Sequence, residues 1–227
     1  MNRNIIRTEK LHGRKKSRSS GQKNDQIYEE IFPKYKLDIN SLNPNQYNEY
    51  NDIELEVGFG YGEHLIWQAL NNPNKLFLGA EPFRSGVINI ISEIEKQKVS
   101  NIKIYDDNVI NIIDNLPNES LSSIFILFPD PWPKKKHHKR RFINQNNLNK
   151  INSVLKNGGR LILATDHKDY LHSILLNVSK NNQFEWLCEK TEDFYIKPYQ
   201  FPETKYERKA IKDGRRPVYL TFEKINL

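Results

Sequence analysis

From residue 52 onward the chain alternates between two hydrophobic periods. Short apolar runs at 53–57, 76–80, 102–105, 124–128 and 160–164 have strand length. Between them, 63–70, 85–98, 109–115 and 144–155 carry apolar residues on a helical spacing, and 170–179 follows the fifth run in the same way. This order predicts parallel strands joined by crossover helices, an open α/β sheet covered on both faces. Two further runs, 185–188 and 218–223, have no long helix between them and are expected to pair antiparallel at one edge. Upstream, 25–32 reads as a short helix with Ile27, Tyr28, Ile31 and Phe32 on one face, ended by Pro33. The turn-rich Ser41-Leu42-Asn43-Pro44-Asn45 then leads into the main domain. The chain thus divides into a basic N-terminal segment (1–24) too polar to pack, a short helix and linker (25–50) and one domain (51–227).

Composition changes this picture in two places. The hydrophobic share of 37% suits a sizeable core, and no run approaches the ~20 apolar residues that span a bilayer. The single cysteine, Cys188, supports neither an internal disulfide nor a cysteine-rich zinc site. With no apolar leader at its polar, basic start, the chain is expected in the cytoplasm. The formal charge of +7 is unevenly placed: residues 1–23 carry eight bases and one acid, so the remainder sums to zero. Within that neutral remainder, 134–141 holds six bases and two histidines with no acid. Two basic clusters on a neutral body point to a polyanionic partner. His137 and His138, set among lysines without acidic companions, read as cationic surface and not as metal ligands.

The first strand runs into Gly58-Phe59-Gly60-Tyr61-Gly62, which opens a helix. A dinucleotide fingerprint needs glycine at position 63, where this chain has Glu63. Glu63 and Glu56 would both repel a pyrophosphate. The spacing Gly58, Gly60, Gly62 with Glu56 two residues earlier suits a ligand bearing an ammonium and a sulfonium, S-adenosylmethionine. Glu81 ends the second strand, where a carboxylate can accept both ribose hydroxyls. Asp106, Asp107 and Asn108 end the third, where such side chains can bond an adenine amino group. All of these fall beyond the carboxyl ends of strands, the usual ligand position in open α/β sheets.

The most specific segment follows the fourth strand: Phe128-Pro129-Asp130-Pro131-Trp132-Pro133, then the basic run from Lys134 to Arg141. Three prolines stiffen it, Asp130 offers a carboxylate, Trp132 a stacking face, and the bases phosphate contacts. This loop resembles the signature loop of bacterial tRNA (guanine-N7-)-methyltransferases. Segments 55–62, 78–83, 159–166 and Thr204-Lys205-Tyr206-Glu207 resemble that family's other motifs in order. Tyr206 stands where phenylalanine is common, and Ala80 where a larger aliphatic residue is common.

The resemblance implies a Rossmann-like S-adenosylmethionine-dependent methyltransferase fold, mostly parallel with an antiparallel edge strand. It implies methyl transfer to N7 of a guanosine in the tRNA variable loop by a monomer or homodimer that needs no metal. Glu56, Gly58, Gly60, Gly62, Glu81, Asp107 and Asn108 would bind the cofactor, and Asp130 would serve both cofactor and catalysis. Lys134, Asp166, Thr204, Lys205, Tyr206 and Glu207 would contact the tRNA. Guanine N7 carries no proton, so positioning and electrostatics are expected to carry the rate without a general base. An NAD-dependent dehydrogenase is disfavoured by Glu56 and Glu63. A methyltransferase for small molecules or proteins has no use for two basic clusters, and a non-catalytic RNA-binding subunit has none for the ordered carboxylates.

Overall fold

Seven runs of β-forming residues build one sheet, and its parallel strands bring their following loops together at their carboxyl ends. The computed structural model describes residues 21–198 and 201–226. The strands are β1 (Asp52–Val57), β2 (Lys75–Ala80), β3 (Ile102–Tyr105), β4 (Leu121–Leu127), β5 (Leu155–Thr165), β6 (Phe184–Trp186) and β7 (Val218–Lys224). Their order is β3-β2-β1-β4-β5-β7-β6. The first five run parallel, and β7 lies antiparallel between β5 and β6. Val57 pairs with Ala80 and Ala80 with Tyr105, so these strands finish level and their following loops meet. The order reverses between β1 and β4, the topological switch point at which open sheets bind ligands.

Burial on both faces explains why the strands read as unbroken apolar runs. On one face Leu55, Leu78, Ile124, Ile126 and Leu163 pack with α5 (Ile110–Asn115), α6 (Gln145–Val154) and α7 (Lys168–Val178). On the other, Phe77, Ile102 and Ile104 pack with α3 (Glu63–Asn71) and α4 (Arg84–Gln97), whose Val87, Ile90, Ile91 and Ile94 are fully buried. Side chains cap the helix starts: Asn144 accepts from the Asn147 amide, and His167 from that of Tyr170.

Two local expectations need correction, and one short helix was not foreseen. Pro33 does not end the N-terminal helical stretch. The segment begins as α1 (Gln22–Gln26), widens to a π turn over Ile27–Ile31 and continues as α2 (Phe32–Tyr35). In the wider turn the Phe32 amide reaches the Ile27 carbonyl, and Pro33 falls in a new first turn, where no amide hydrogen is needed. Strand β5 starts at Leu155, directly after α6, because Leu155 pairs with Leu121 across an irregularity in β4; the polar Lys156, Asn157, Gly158 and Gly159 mask it in the sequence. An eight-residue helix, α8 (Lys205–Lys212), lies between β6 and β7, with Thr204 capping it through the Glu207 amide at 3.2 Å. Of the first basic cluster, residues 1–20 lie outside the described residues.

Candidate active site

The loops after β1, β2, β3 and β4 enclose a cavity of about 620 Å³. Gly58, Gly60, Glu81, Asp107, Asn108 and Asp130 line it, and Tyr206 of α8 closes one side. The glycine loop turns sharply, with Gly58, Gly60 and Gly62 at φ of +67°, +60° and +81°. Only glycine adopts that region without strain. Glu81 stitches the loop to the end of β2: one carboxylate oxygen accepts from the Gly60 amide at 2.9 Å and the other from the Phe83 amide at 2.8 Å. Burial pushes the Glu81 carboxyl above its ordinary range against the lowering effect of those two amides, and Asp130 and Glu56 add to the rise.

The proline loop has a different origin. Phe128 and Trp132 both take left-handed backbone, at φ of +54° and +43°. For side-chain-bearing residues this strain costs about 1–3 kcal/mol each. The two kinks flank Pro129-Asp130-Pro131 and hold Asp130 at the cavity wall. Arg141 clamps the loop from behind: its Nε donates to the Pro131 carbonyl at 2.9 Å, its guanidinium stacks over Tyr170 and it pairs with Asp169. Only 4% exposed, Arg141 belongs to the loop's scaffold, although the sequence places it in the basic surface run. Trp132 is flanked by the Arg140 guanidinium, 4.9 Å from its ring centre, and by the edge of His137. Burial pushes the Asp130 carboxyl above its ordinary range.

Seven of the sequence-predicted residues therefore share one cavity wall: Gly58, Gly60, Glu81, Asp107, Asn108, Asp130 and Tyr206. The others stand outside it. Glu56 is buried in β1, 2.8 Å from His64 Nδ1. Gly62 packs against Ile90, which leaves no room for a Cβ. Lys134 is exposed at the start of the short helical turn Lys135–Arg140. Asp166 pairs with Arg215 at 2.5 Å. Glu207 is buried and accepts from Lys197 Nζ at 3.0 Å and from the Tyr219 hydroxyl at 2.6 Å. Thr204 serves as the cap of α8, and the Lys205 ammonium sits 3.8 Å from the Tyr61 ring centre. Asp106 is engaged by the Tyr28 hydroxyl, which leaves Asp107 and Asn108 as the β3-end residues at the cavity.

Sequence reasoning missed Asn147, which lines the cavity from α6 while its Oδ1 is buried without a hydrogen-bond partner. Its helical position among other asparagines carried no signal. Among the described residues no three His, Cys, Asp or Glu side chains gather as they would around a metal ion, and no helix is long and apolar enough to cross a membrane.

Two carboxylates held above their ordinary range and an unpartnered acceptor in one cavity suit a cationic ligand with hydroxyl and amino donors. Comparison with known proteins agrees in kind. Residues 51–220 match a family described as "Putative methyltransferase". The chain is 36% identical over 224 residues to a tRNA (guanine-N(7)-)-methyltransferase of Rhizobium johnstonii, covering 96% of each chain. It is 40% identical over 201 residues to one of Bartonella quintana, covering 86% of each. Among solved structures, the 16S rRNA methyltransferase KamB superposes with a TM-score of 0.59 at 16% identity, over 80% of this chain and 92% of that one. A SAM-dependent O-methyltransferase of Thermotoga maritima gives 0.51 at 15% identity, over 90% and 71%. At such identities these structures speak for the fold alone.

Proposed function

The chain belongs to the tRNA (guanine-N(7)-)-methyltransferase family, and from that membership we propose that it transfers the methyl group of S-adenosylmethionine to N7 of a guanosine in the tRNA variable loop, in the cytoplasm. The observation that carries this reading is the single cavity in which Glu81, Asp107 and Asp130 converge beside a base-rich loop.

The residues present fit the cofactor. Each Glu81 oxygen keeps a lone pair after its amide bond, so the carboxylate can take both ribose hydroxyls while still fixing the loop. Asp107 and Asn108, at the cavity wall, would bond the adenine amino group, and the orphaned Asn147 Oδ1 supplies a further acceptor in the wall. Gly58 and Gly60 let the ligand approach the backbone, and Gly62 seats α3 behind them. Glu56 acts from behind the loop, where its charge deepens the negative field felt at Glu81.

When bound, S-adenosylmethionine supplies an electrophilic methyl group on a cationic sulfur. The attacking N7 lone pair carries no proton, so no side chain need remove one. Asp130 orients the guanine edge and offsets the positive charge that arrives on the purine. Its strained loop holds the carboxylate in place beforehand, so little rearrangement is needed during transfer. Lys134, Thr204, Lys205 and Tyr206 form the tRNA-facing rim. Asp166 and Glu207 support that rim through Arg215, Lys197 and Tyr219. A guanine must leave its stack to present N7 here, and Trp132 and Tyr206 offer faces to receive it.

Incubation with an unmodified tRNA transcript and methyl-labelled cofactor tests the proposal. The expected label is on N7 of one variable-loop guanosine. Label on another atom, or in another region of the tRNA, would refute the corresponding part of the assignment.

A further inference from the structure

We propose that Glu63 is a positioning residue: it fastens helix α8, which carries the tRNA-facing residues, onto the cofactor loop, and so sets the tRNA rim relative to the methyl donor. The inference rests on the function proposed above and deepens it.

Glu63 opens α3 immediately after the last loop glycine. Its carboxylate reaches across to α8 with both oxygens. One accepts from the Lys205 backbone amide at 2.9 Å, and the other from Arg208 Nη2 at 2.7 Å. Two more contacts join the same segments. The Lys205 ammonium lies over the Tyr61 ring, and the Tyr206 ring packs so closely on Gly60 that an added Cβ would come within 2.7 Å of it. Residues 60, 61 and 63 thus meet residues 205, 206 and 208.

The helix needs such fastening. It has eight residues, of which only Glu207 and Ala210 are buried, and a helix this short is not stable by itself in water. Its first turn leaves amides without intrahelical partners. Thr204 satisfies that of Glu207, and Glu63 satisfies that of Lys205. The Glu63 carboxylate also lies in the first turn of α3, so one negative charge serves the positive ends of two helices. Glu207 anchors the inner face of α8 to β7 through Tyr219. Glu63 fixes the outer face, where Tyr206 borders the cavity.

The experiment uses the full chain with Glu63→Ala, Glu63→Gln, Arg208→Ala and the Glu63→Ala/Arg208→Ala pair. In Glu63→Ala, the KM for tRNA should rise and kcat fall, lowering kcat/KM by about 10- to 100-fold. The Kd for S-adenosylmethionine without tRNA should change less than threefold. Glu63→Gln keeps an acceptor for the Lys205 amide and should lie between wild type and Ala. The double variant should lose less than the sum of the two single variants, because both cut the same Glu63–Arg208 bond, even though Arg208 also donates to the Glu203 carbonyl at 2.6 Å. Amide hydrogen exchange at 205–208 should accelerate in Glu63→Ala and not at α4. Additive losses, unchanged exchange, or a fall in cofactor affinity as large as that for tRNA would overturn the proposal. Should Glu63→Ala fail to fold, Glu63→Gln and Arg208→Ala decide by the same readouts. A wild-type protein without guanine-N7 activity would refute the functional reading, while exchange at 205–208 would still report whether Glu63 holds the helix.

Discussion

Replacing Gly86 with alanine tests whether the cofactor loop is held by close contact of backbones. Gly86 lies in the first turn of α4, and a Cβ built there would stand 2.1 Å from the Gly60 carbonyl oxygen and 3.2 Å from Glu81 Cγ. An ordinary contact is longer by more than 1 Å. Neither side yields easily: Glu81 pins the loop through the Gly60 amide, and Val87, Ile90, Ile91 and Ile94 lock the helix in the core. Overpacking of this kind costs about 1–3 kcal/mol, and contact with the Gly60 backbone, which cannot swing aside as a side chain can, places it near the top of that range. Alanine returns about 1 kcal/mol in helix propensity. The net loss of about 2 kcal/mol should lower Tm by about 4–8 °C. Displacing Gly60 also disturbs its bond to Glu81, so cofactor affinity should fall by about 1–3 kcal/mol, roughly 5- to 150-fold. Thermal denaturation and titration calorimetry measure the two effects. Gly21→Ala, with no atom near its added Cβ, serves as control. A Gly86→Ala protein as stable as wild type and equally able to bind S-adenosylmethionine would refute the close-contact argument.

Three further outcomes are expected. Glu81→Ala should weaken S-adenosylmethionine binding by about 1–3 kcal/mol in calorimetry, through the unpaired ribose hydroxyls and the freed loop. Because burial holds the Glu81 carboxyl above its ordinary 4.5, the folded state binds the extra proton between that value and the raised one. Its contribution to stability therefore declines as pH rises through that window, while cofactor affinity declines as pH falls through the raised value. Both slopes should vanish in Glu81→Ala. Asp130→Asn should slow single-turnover methyl transfer by about 10²–10³. The wild-type rate should stay flat through neutral pH, and a rise there that disappears in Asp130→Asn would instead make Asp130 a general base for a protonated target. Removing residues 1–20, with seven bases and one acid, should weaken tRNA binding and flatten its salt dependence without changing cofactor affinity; an unchanged salt slope would exclude the tail from the interface.

The sheet was legible because burial on both faces forces apolar runs, and each of the seven strands overlaps a run visible in the sequence, although β5 begins at Leu155, ahead of its run. Helix α8 was not legible, since five of the eight residues Lys205–Lys212 are charged and its helicity depends on a cap and on tethers from distant residues. Of the seven predicted cavity-wall residues, all but Tyr206 could be named because they lie just beyond a strand end; Tyr206, in α8, was named only through the family resemblance. What they do in three dimensions could not be read. Arg141 reads as one base among six yet is the buried clamp of the proline loop. Glu56 reads as a ligand residue yet faces His64, eight positions on and the second residue of α3. Gly86 lies in an ordinary amphipathic stretch, and nothing in its neighbours announces the loop against it.

The position of β7 has a consequence for how the chain is made. Strand β5 is finished at Thr165, but the strand that covers its outer edge begins at Val218, and the three-residue β6 also pairs only with β7. At cellular elongation rates of about 5–20 residues per second, the stretch between them takes on the order of several seconds to emerge. Throughout that interval the apolar edge Leu161–Ile162–Leu163 presents unpaired amides and carbonyls, the template on which chains stack edge to edge. The sheet is thus sealed last by its antiparallel strand, and nascent chains stalled before Val218 would leave the β5 edge open to aggregation.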